Sequence, residues 1–246
     1  MIIRKKNNIS KLDLAISEDR TLFPLKVISK DNLPKAGLLK PGSNNQKLSG
    51  LKKSKIITKG KWTGMTMYSL TLEERKTCPQ TCEHYIDCYG NNMRYASRYQ
   101  AGDWIIDQLR IELSKLNKKH EKGFVVRLHI LGDFYSVEYL EAWSDFMKEF
   151  ENLHVFGYTR RHDVNDPIAQ AYNALFPFPT DRWQIRLSGS DNQDMTALSE
   201  THELAQTKLT NGSAFLCPQQ SGKTDGCYSC GLCLGSSSKT VVFANH

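Results

Sequence analysis

Hydrophobic and polar residues follow a rhythm in which short apolar runs alternate with longer amphipathic stretches. Four runs predict β-strands, because each is a short apolar segment bounded by turn residues. They are TGMTMYSL from residue 63, FVVRLHIL from 124, LHVFGYTR from 153 and RWQIRLSGS from 182. Apolar residues spaced at the helical period predict helices over about 92–119, 136–150 and 166–175. Two further runs, SAFLCP and KTVVFANH, predict strands later in the chain.

This alternation predicts parallel strands joined by right-handed crossovers, as in a doubly wound sheet or a (β/α) barrel. We therefore expect an α/β fold, as a partial or complete (β/α) barrel with a cysteine-rich C-terminal segment. Prolines and a Gly/Ser/Asn cluster at 42–50 interrupt the first 60 residues. We expect three regions: a basic, irregular extension over 1–60, a core over 61–212 and a metal-binding segment over 213–246.

Polar groups follow five of the predicted strands. In parallel α/β folds the working residues lie at the carboxyl ends of strands, which meet on one rim of the sheet. We therefore expect these five groups to converge. They are the cysteine loop after MTMYSL, Gly132-Asp133, residues 158–161, residues 188–191 and Cys217-Pro218.

Composition limits the choice of cellular compartment and of protein class. A chain of 246 residues with 39% apolar content can bury a sizeable core. No apolar run approaches the roughly 20 residues that cross a bilayer, and the first residues lack the pattern of a signal peptide, so we expect a cytoplasmic protein without a membrane partner. Cytoplasmic thiols are kept reduced, so seven clustered cysteines favour metal ligation over disulfides.

The net charge of +7 is concentrated near the start of the sequence. Residues 1–61 carry 15 Lys/Arg against 4 Asp/Glu, whereas the rest carries 18 against 22. A basic segment of this kind is suited to phosphate backbones, so nucleic acid stays open as a partner. The segment lacks the interleaved aromatic residues that stack on bases, and a solvated leader is the alternative interpretation.

The first cysteine group is TCPQTCEHYIDCYG, in which Cys78, Cys82 and Cys88 are spaced C-x3-C-x5-C. Three thiolates can hold a 4Fe-4S cluster that keeps one iron open for a substrate or cofactor. The alternative is a zinc loop in which His84 supplies the fourth ligand.

The second cysteine group is CPQQSGKTDGCYSCGLC, with Cys217, Cys227, Cys230 and Cys233 spaced C-x9-C-x2-C-x2-C. Four soft ligands within 17 residues, separated by glycines that let the backbone wrap tightly, indicate a metal site. Both an iron-sulfur cluster and tetrathiolate zinc suit these spacings, so the chain is predicted to hold one or two 4Fe-4S clusters or zinc.

Several familiar catalytic motifs are missing from the sequence. It contains no G-x-G-x-x-G, G-x-S-x-G or H-E-x-x-H. The chain therefore lacks the usual motifs of nicotinamide-binding proteins, serine hydrolases and zinc proteases. The SGKT at 221–224 resembles the end of a P-loop, but Cys217 stands where that motif requires glycine. No catalytic residue is predicted.

The order of these motifs resembles that of the radical S-adenosylmethionine enzyme core. More closely, KLSGLKKSKI, TCPQTC with CYG, RLHILGDFYSVEYLEAW, FGYTRR and CPQQ with its following cysteines resemble the uncharacterised phage family called gene product 88. This second resemblance runs from about Lys47 to His246, and RLHILGDFYS is its most specific part.

The radical-enzyme resemblance implies roles for particular residues. Cys78, Cys82 and Cys88 would be the cluster ligands, although the last gap is five residues here and two in radical enzymes. Gly132 and Asp133 stand where those enzymes place a Gly-Gly-Glu that contacts the amino group of S-adenosylmethionine. The residues implied to line the carboxylate and ribose of that cofactor are Thr159, Arg160, Arg186 and Ser188.

Two functional hypotheses follow. The first is a phage-encoded iron-sulfur enzyme of radical S-adenosylmethionine type, acting on an unknown substrate. The alternative is a zinc-binding, nucleic-acid-binding protein without catalysis.

Overall fold

The computed structural model describes residues 26–85, 88–93, 96–177, 180–190 and 195–244. Its strands are β1 (Lys26–Ile28), β2 (Lys40–Pro41), β3 (Thr66–Ser69), β4 (Ser97–Tyr99), β5 (Phe124–Leu128), β6 (Leu153–Thr159), β7 (Trp183–Ser188), β8 (Thr196–Ser199), β9 (Ala214–Leu216) and β10 (Thr240–Phe243). Its α-helices are α1 (Gln46–Ser49), α2 (Glu74–Thr77), α3 (Asp103–Lys119), α4 (Val137–Glu149), α5 (Pro167–Leu175), α6 (Glu203–Thr210) and α7 (Cys227–Cys230).

Eight strands form one sheet in the order β2-β3-β5-β6-β7-β8-β10-β9. All neighbours pair in parallel except β2 with β3, which are antiparallel. Within the described ranges β2 and β9 are edge strands, so the sheet is open and the expected alternative of a complete barrel is not found. The predicted α/β class with parallel strands is confirmed. Strands β1 and β4 form a separate parallel pair.

One face of the sheet is covered by helices. Alternate residues of β5 to β7, such as Val126, Val155 and Ile185, pack in the main core with residues of α3, α4 and α5. The inward stripe of α3 is Ile105, Leu109 and Leu113, spaced three to four residues apart as a helix face requires. We call this side of the sheet the helix face.

The other face of the sheet carries the second cysteine group. Val125 and Phe156, which alternate with the residues above, pack with Trp62 from the segment before β3 and with Tyr228 of α7. Cys227 and Cys233 are partly buried against the same cluster. We call this side the cysteine face.

The direction of the last crossover explains why the cysteines lie there. From β3 to β8 the strand order follows the chain, but β10 turns back to pair between β8 and β9. Parallel crossovers are right-handed in nearly all proteins. A crossover that runs back along the sheet, in the direction opposite to the earlier ones, is right-handed only if it passes over the other face. The connection over residues 217–239 therefore lies on the face away from the helices.

The segment before β3 and the second cysteine segment dock on each other through backbone groups. Thr58 N donates to Tyr228 O at 2.9 Å, and Leu51 N donates to the Asp225 carboxylate at 3.0 Å. A Cβ added at Gly231 would lie 2.3 Å from Lys59 O, so this approach requires glycine. Residues expected to form an irregular extension therefore pack against the core, while the predicted boundaries at 60 and 212 stay predictions.

The helix predicted over about 92–119 is wrong at its start. It begins at Asp103, because residues 97–99 extend as β4 to pair with β1 and Gly102 has a φ of +155°. The other two predicted helices are confirmed, with Ser136 and Asp166 as N-caps whose side chains accept from Tyr139 N and Ile168 N.

Candidate metal and cofactor site

Hydrogen bonds join the ends of three neighbouring strands around Asp133, in the loop after β5. Its carboxylate accepts from Thr159 Oγ1 and from Arg160 N, both at 2.7 Å, and from Phe134 N at 2.8 Å. Arg160, just after β6, donates from Nη1 to the carbonyl oxygen of Ser188 at 2.8 Å. Ser188 ends β7, so the structure brings these predicted residues together.

Asp133 is 3% exposed, and its three donors stabilise it as a carboxylate. Burial raises its pKa to about 6, and the hydrogen bonds from Thr159, Arg160 and Phe134 oppose that rise. Oδ1 accepts two of these bonds and Oδ2 accepts one. Since each carboxylate oxygen has two acceptor positions, Oδ2 keeps one for a cationic group.

Gly132 allows the loop after β5 to approach the first cysteine loop. Its φ is +89°, and a Cβ there would lie 2.6 Å from Thr77 Oγ1 and 2.7 Å from Leu72 Cβ. The same Thr77 hydroxyl accepts from Asp133 N at 3.2 Å. The network around Asp133 is thus connected to the residue that precedes Cys78.

Cys78, Cys82 and Cys88 lie within electrostatic range of one another. Burial raises the pKa of Cys78, and the charges of Asp133 and of the other two thiols add to this rise. Burial also raises the pKa of Cys82. Without a metal the thiols of Cys78 and Cys82 are protonated at neutral pH, so metal binding here would release protons.

Arg98 anchors the first cysteine loop at both ends. It is fully buried and donates from Nε and Nη2 to the Glu74 carboxylate at 2.7 and 3.0 Å. Its other bonds go to the carbonyl oxygens of Gly90, Met93 and Ala96 at 2.9–3.0 Å. Arg98 therefore joins α2, which enters the loop, to the residues that leave it, a role that sequence reasoning missed.

Arg161 makes a second connection that the sequence did not indicate. Its Nε donates to Phe134 O, its Nη2 to Thr77 O and its Nη1 to the Asp166 carboxylate, at 2.8–3.0 Å. These bonds fix the loops after β3, β5 and β6 relative to one another. Of the two arginines the resemblance assigned a cofactor role to Arg160 alone, and of the two only Arg160 reaches Ser188.

The second cysteine group lies on the cysteine face. Cys217 is buried against Ala197 and Val241, and Cys233 and Tyr158 of β6 pack against the same cluster. Burial raises the pKa of Cys227 to about 12, and Cys233 and Cys217 add to that rise. The thiols of Cys217 and Cys233 therefore lie within electrostatic range of Cys227 and of Cys230.

Two cations that the sequence did not single out lie beside these thiols. Arg127 on β5 is 6% exposed and lies over the rings of Phe156 and Tyr158 at 5.5 and 4.8 Å, and its Nε has no hydrogen-bond partner among the described residues. Lys47 of α1 lies over the Phe243 ring at 4.3 Å. Burial lowers the pKa of Lys47, as does the charge of Arg127, whereas the thiols of Cys217, Cys227 and Cys233 oppose this.

Arg186 is not part of the Asp133 network. Its side chain is fully buried, and its two terminal nitrogens donate to Ser237 O at 2.6 Å and Lys239 O at 2.7 Å. Arg186 therefore holds the connection that leads from Cys233 into β10. Its predicted contact with a cofactor stays a prediction.

No metal site is preassembled in the described part of the chain. Within it, no three His, Cys, Asp or Glu side chains are close enough together to hold one ion. Ligation by either cysteine group therefore requires the sulfur atoms to move together, which is common where metal binding and local folding are coupled. His84, the alternative zinc ligand, has its Nε2 3.9 Å from Glu83 Oε1.

The fold and this geometry define an α/β protein with an open, mainly parallel sheet, one cysteine group at a strand end and the other on one face of the sheet. The model of the gene product 88 family, a family of phage proteins, matches residues 37–233. The match covers more than half of the chain, and the protein belongs to that family.

Neither the comparison with curated proteins nor that with solved structures gave a match. The resemblance to radical S-adenosylmethionine enzymes accordingly stays a prediction. None of the described helices is long and apolar enough to cross a membrane.

Proposed function

We propose that the protein is an iron-sulfur protein of radical S-adenosylmethionine type that acts as an enzyme on an unidentified substrate. The observation that carries this proposal is the hydrogen-bonded network from Thr77 through Asp133 and Arg160 to Ser188, which starts next to Cys78. This network includes residues to which the resemblance assigns contacts with the cofactor.

The strand order adds support. From β3 to β8 the strands follow the chain, and α3 to α5 cover a single face. This order supports the proposal of a partial (β/α) barrel, in which residues at successive strand ends face a common ligand. The first cysteine loop follows the first parallel strand of this series.

Each part of the network would have a role in binding. Cys78, Cys82 and Cys88 would hold a 4Fe-4S cluster, which supplies an open iron and an electron when bound. Asp133 Oδ2 keeps an acceptor position suited to the amino group of S-adenosylmethionine. Arg160 lies beside it, and its guanidinium is suited to a carboxylate.

Purification without oxygen, reconstitution with iron and sulfide, and a search for 5′-deoxyadenosine after reduction test this proposal. We expect a brown protein that binds S-adenosylmethionine and forms 5′-deoxyadenosine. Replacing Asp133 with Asn should weaken that binding, because an amide offers a donor where a carboxylate accepts. A protein that retains only zinc, or that holds a cluster without binding the cofactor, would refute the proposal.

One observation favours the alternative function of a zinc-dependent nucleic-acid-binding protein. Five lysines over 52–61 are exposed, and in the described part of the chain only Lys61 forms a salt bridge, with Asp181. Such a segment is suited to phosphate groups. Retention of DNA or RNA that falls steeply with salt, in a protein that contains zinc, would support this alternative; the absence of any retention at low salt would remove it.

A further inference from the structure

We propose that Lys47 and Arg127 neutralise an anionic metal centre formed by Cys217, Cys227, Cys230 and Cys233. This inference rests on the metal-binding part of the proposed function, and it assigns the role of two residues outside the cysteine motifs.

Arg127 is a buried cation that has no carboxylate partner among the described residues. It lies in the middle of the sheet, pointing from β5 to the cysteine face, where it stacks over Phe156 and Tyr158. Its side chain is 94% buried, with Nε unpartnered, and no carboxylate pairs with it in the described part of the chain. A buried guanidinium without an anion is costly, so the position calls for negative charge nearby.

Lys47 is brought to the same place by the docking of α1. The helix is capped by Asn45, whose side chain accepts from Leu48 N, and Leu48 is fully buried in the cluster of the cysteine face. The Lys47 ammonium then lies over Phe243, in electrostatic range of Arg127. No carboxylate within the described ranges forms a salt bridge with it either.

The four thiols are the ionisable groups that can supply the negative charge. Arg127 lies over Tyr158 and Lys47 lies over Phe243, and both rings pack in one cluster with Cys217 and Cys233. Four thiolates around Zn²⁺, or around a cluster core of charge +2, give a centre of net charge −2. One lysine and one arginine balance that charge.

The charge balance predicts opposite effects of the same substitution in the metal-free and metal-bound protein. Removing Lys47 or Arg127 relieves the metal-free protein of an unpaired cation, so its stability should stay the same or rise. The metal-bound protein loses a countercharge, and its metal affinity should fall roughly 10–100-fold, the usual effect of losing a residue that supports the ligands. A residue that serves packing alone would lower stability in both forms.

The experiment uses the full chain with Cys78, Cys82 and Cys88 replaced by Ser, so that metal reports on the second group alone. Lys47→Met and Arg127→Met are compared with Lys47→Arg and Arg127→Lys, which keep the charge, and with Lys55→Met, which removes an exposed lysine from the same segment. Metal retention against a chelator and the unfolding of metal-free protein are measured for each variant, with the reduction potential where the metal is iron.

We expect weaker metal retention in the two Met variants, recovery in Lys47→Arg and Arg127→Lys, and no change in Lys55→Met. With iron, the potential of both Met variants should shift to more negative values. Equal metal retention in all variants overturns the inference, as does retention that falls only in parallel with metal-free stability. If the Met variants retained their metal but lost a bound anionic molecule that the parent carries, Lys47 and Arg127 would serve that molecule. This outcome would also overturn the inference.

The outcome is separable from that of the proposed function. If the parent with the three Ser replacements binds no metal, the metal-binding part of the proposed function fails at the second group, and the inference fails with it. If that parent binds metal but the Met variants match it, the inference alone fails. Formation of 5′-deoxyadenosine depends on the first group and is measured on the protein with all seven cysteines.

Discussion

Arg98 and Glu74 form a buried ion pair with two parallel hydrogen bonds, which joins the beginning of the first cysteine loop to its end. Glu74 lies in α2, four residues before Cys78, and Arg98 lies in β4, ten residues after Cys88. Three further bonds from Arg98 go to backbone carbonyls between them. The pair therefore controls the shape of the loop rather than supplying ligands to it.

Replacing Glu74 with Leu should lower the free energy of unfolding by about 3–5 kcal/mol, because it leaves the buried Arg98 charge without its carboxylate. Urea unfolding of the metal-free protein measures this. The double variant Glu74→Leu with Arg98→Met removes both charges and should recover part of the loss. A single variant as stable as the wild type would contradict a structural role for the pair.

Gly189 should be required for the position of Arg160. Its φ is +71°, and a Cβ there would lie 1.6 Å from Arg160 Nη1. Gly189→Ala should therefore displace the guanidinium from Ser188 and weaken binding of S-adenosylmethionine. Calorimetric titration of the reconstituted protein measures the binding.

The matched control is Gly212→Ala, because Gly212 has a φ of +77° and a Cβ there would meet nothing within 4 Å. That variant carries only the backbone strain, about 1–2 kcal/mol. Gly189→Ala should lose more stability than this, and only Gly189→Ala should affect cofactor binding. Equal effects of the two substitutions on cofactor binding would show that Arg160 does not contribute to the site.

His129 should make the stability of the protein depend on pH. Its Nε2 lies 3.0 Å from the Tyr139 hydroxyl, and its Nδ1 has no hydrogen-bond partner in the ranges that the structure describes. Burial together with the Arg127 charge lowers the pKa of His129 to about 3. The unfolded state takes up a proton below about pH 6.5 and the folded state does not, so stability is lost as pH falls through this window. Each pH unit costs about 1.4 kcal/mol.

The wild type should conceal part of this loss, because Asp133 acts in the opposite direction. Its pKa of about 6 exceeds the ordinary value of 3.8, so its protonation favours the folded state as pH falls through 6. We therefore compare the wild type with His129→Gln by urea unfolding at pH 7.5 and 5. The difference in free energy between the two proteins should change by about 2 kcal/mol, in favour of the variant at pH 5. If the difference in free energy of unfolding between the two proteins were the same at both pH values, the buried imidazole of His129 would not be neutral.

The two cysteine groups should hold metal independently. Replacing Cys78, Cys82 and Cys88 with Ser should remove one share of the bound metal, and replacing Cys227, Cys230 and Cys233 should remove the other. Metal and sulfide analysis of anaerobically purified protein measures both shares. Loss of all metal from either variant would indicate a single shared centre instead.

The sequence predicted the parallel core well because its signals are local. The runs that became β5, β6 and β7 are apolar and bounded by turn residues, and Ser136 and Asp166 are direct helix-start signals. Asp133, Thr159, Arg160 and Ser188 were found from their place after strands. Their meeting required only that parallel strands end on the same rim.

The unpredicted features depend on long-range pairing. Strand β4 is three residues long and exists because β1 lies beside it, so a helical pattern ran through its position. The insertion of β10 between β8 and β9 decides which face carries the second cysteine group, and no local signal encodes it. Lys47 and Arg127 are ordinary basic residues in the sequence, and only the fold shows that they share a buried location.

The place of β10 also has a consequence for synthesis on the ribosome. In the described part of the chain, β9 joins the main sheet only through β10, which begins 24 residues later. A nascent chain that has emerged as far as β9 therefore still lacks the strand that attaches it, and the intervening thiols are made before Val241 of β10, which completes the cluster around Cys217. Closure of the sheet and enclosure of these thiols should be late and coupled events, so the order of translation itself leaves an interval in which the second cysteine group is open to incoming metal.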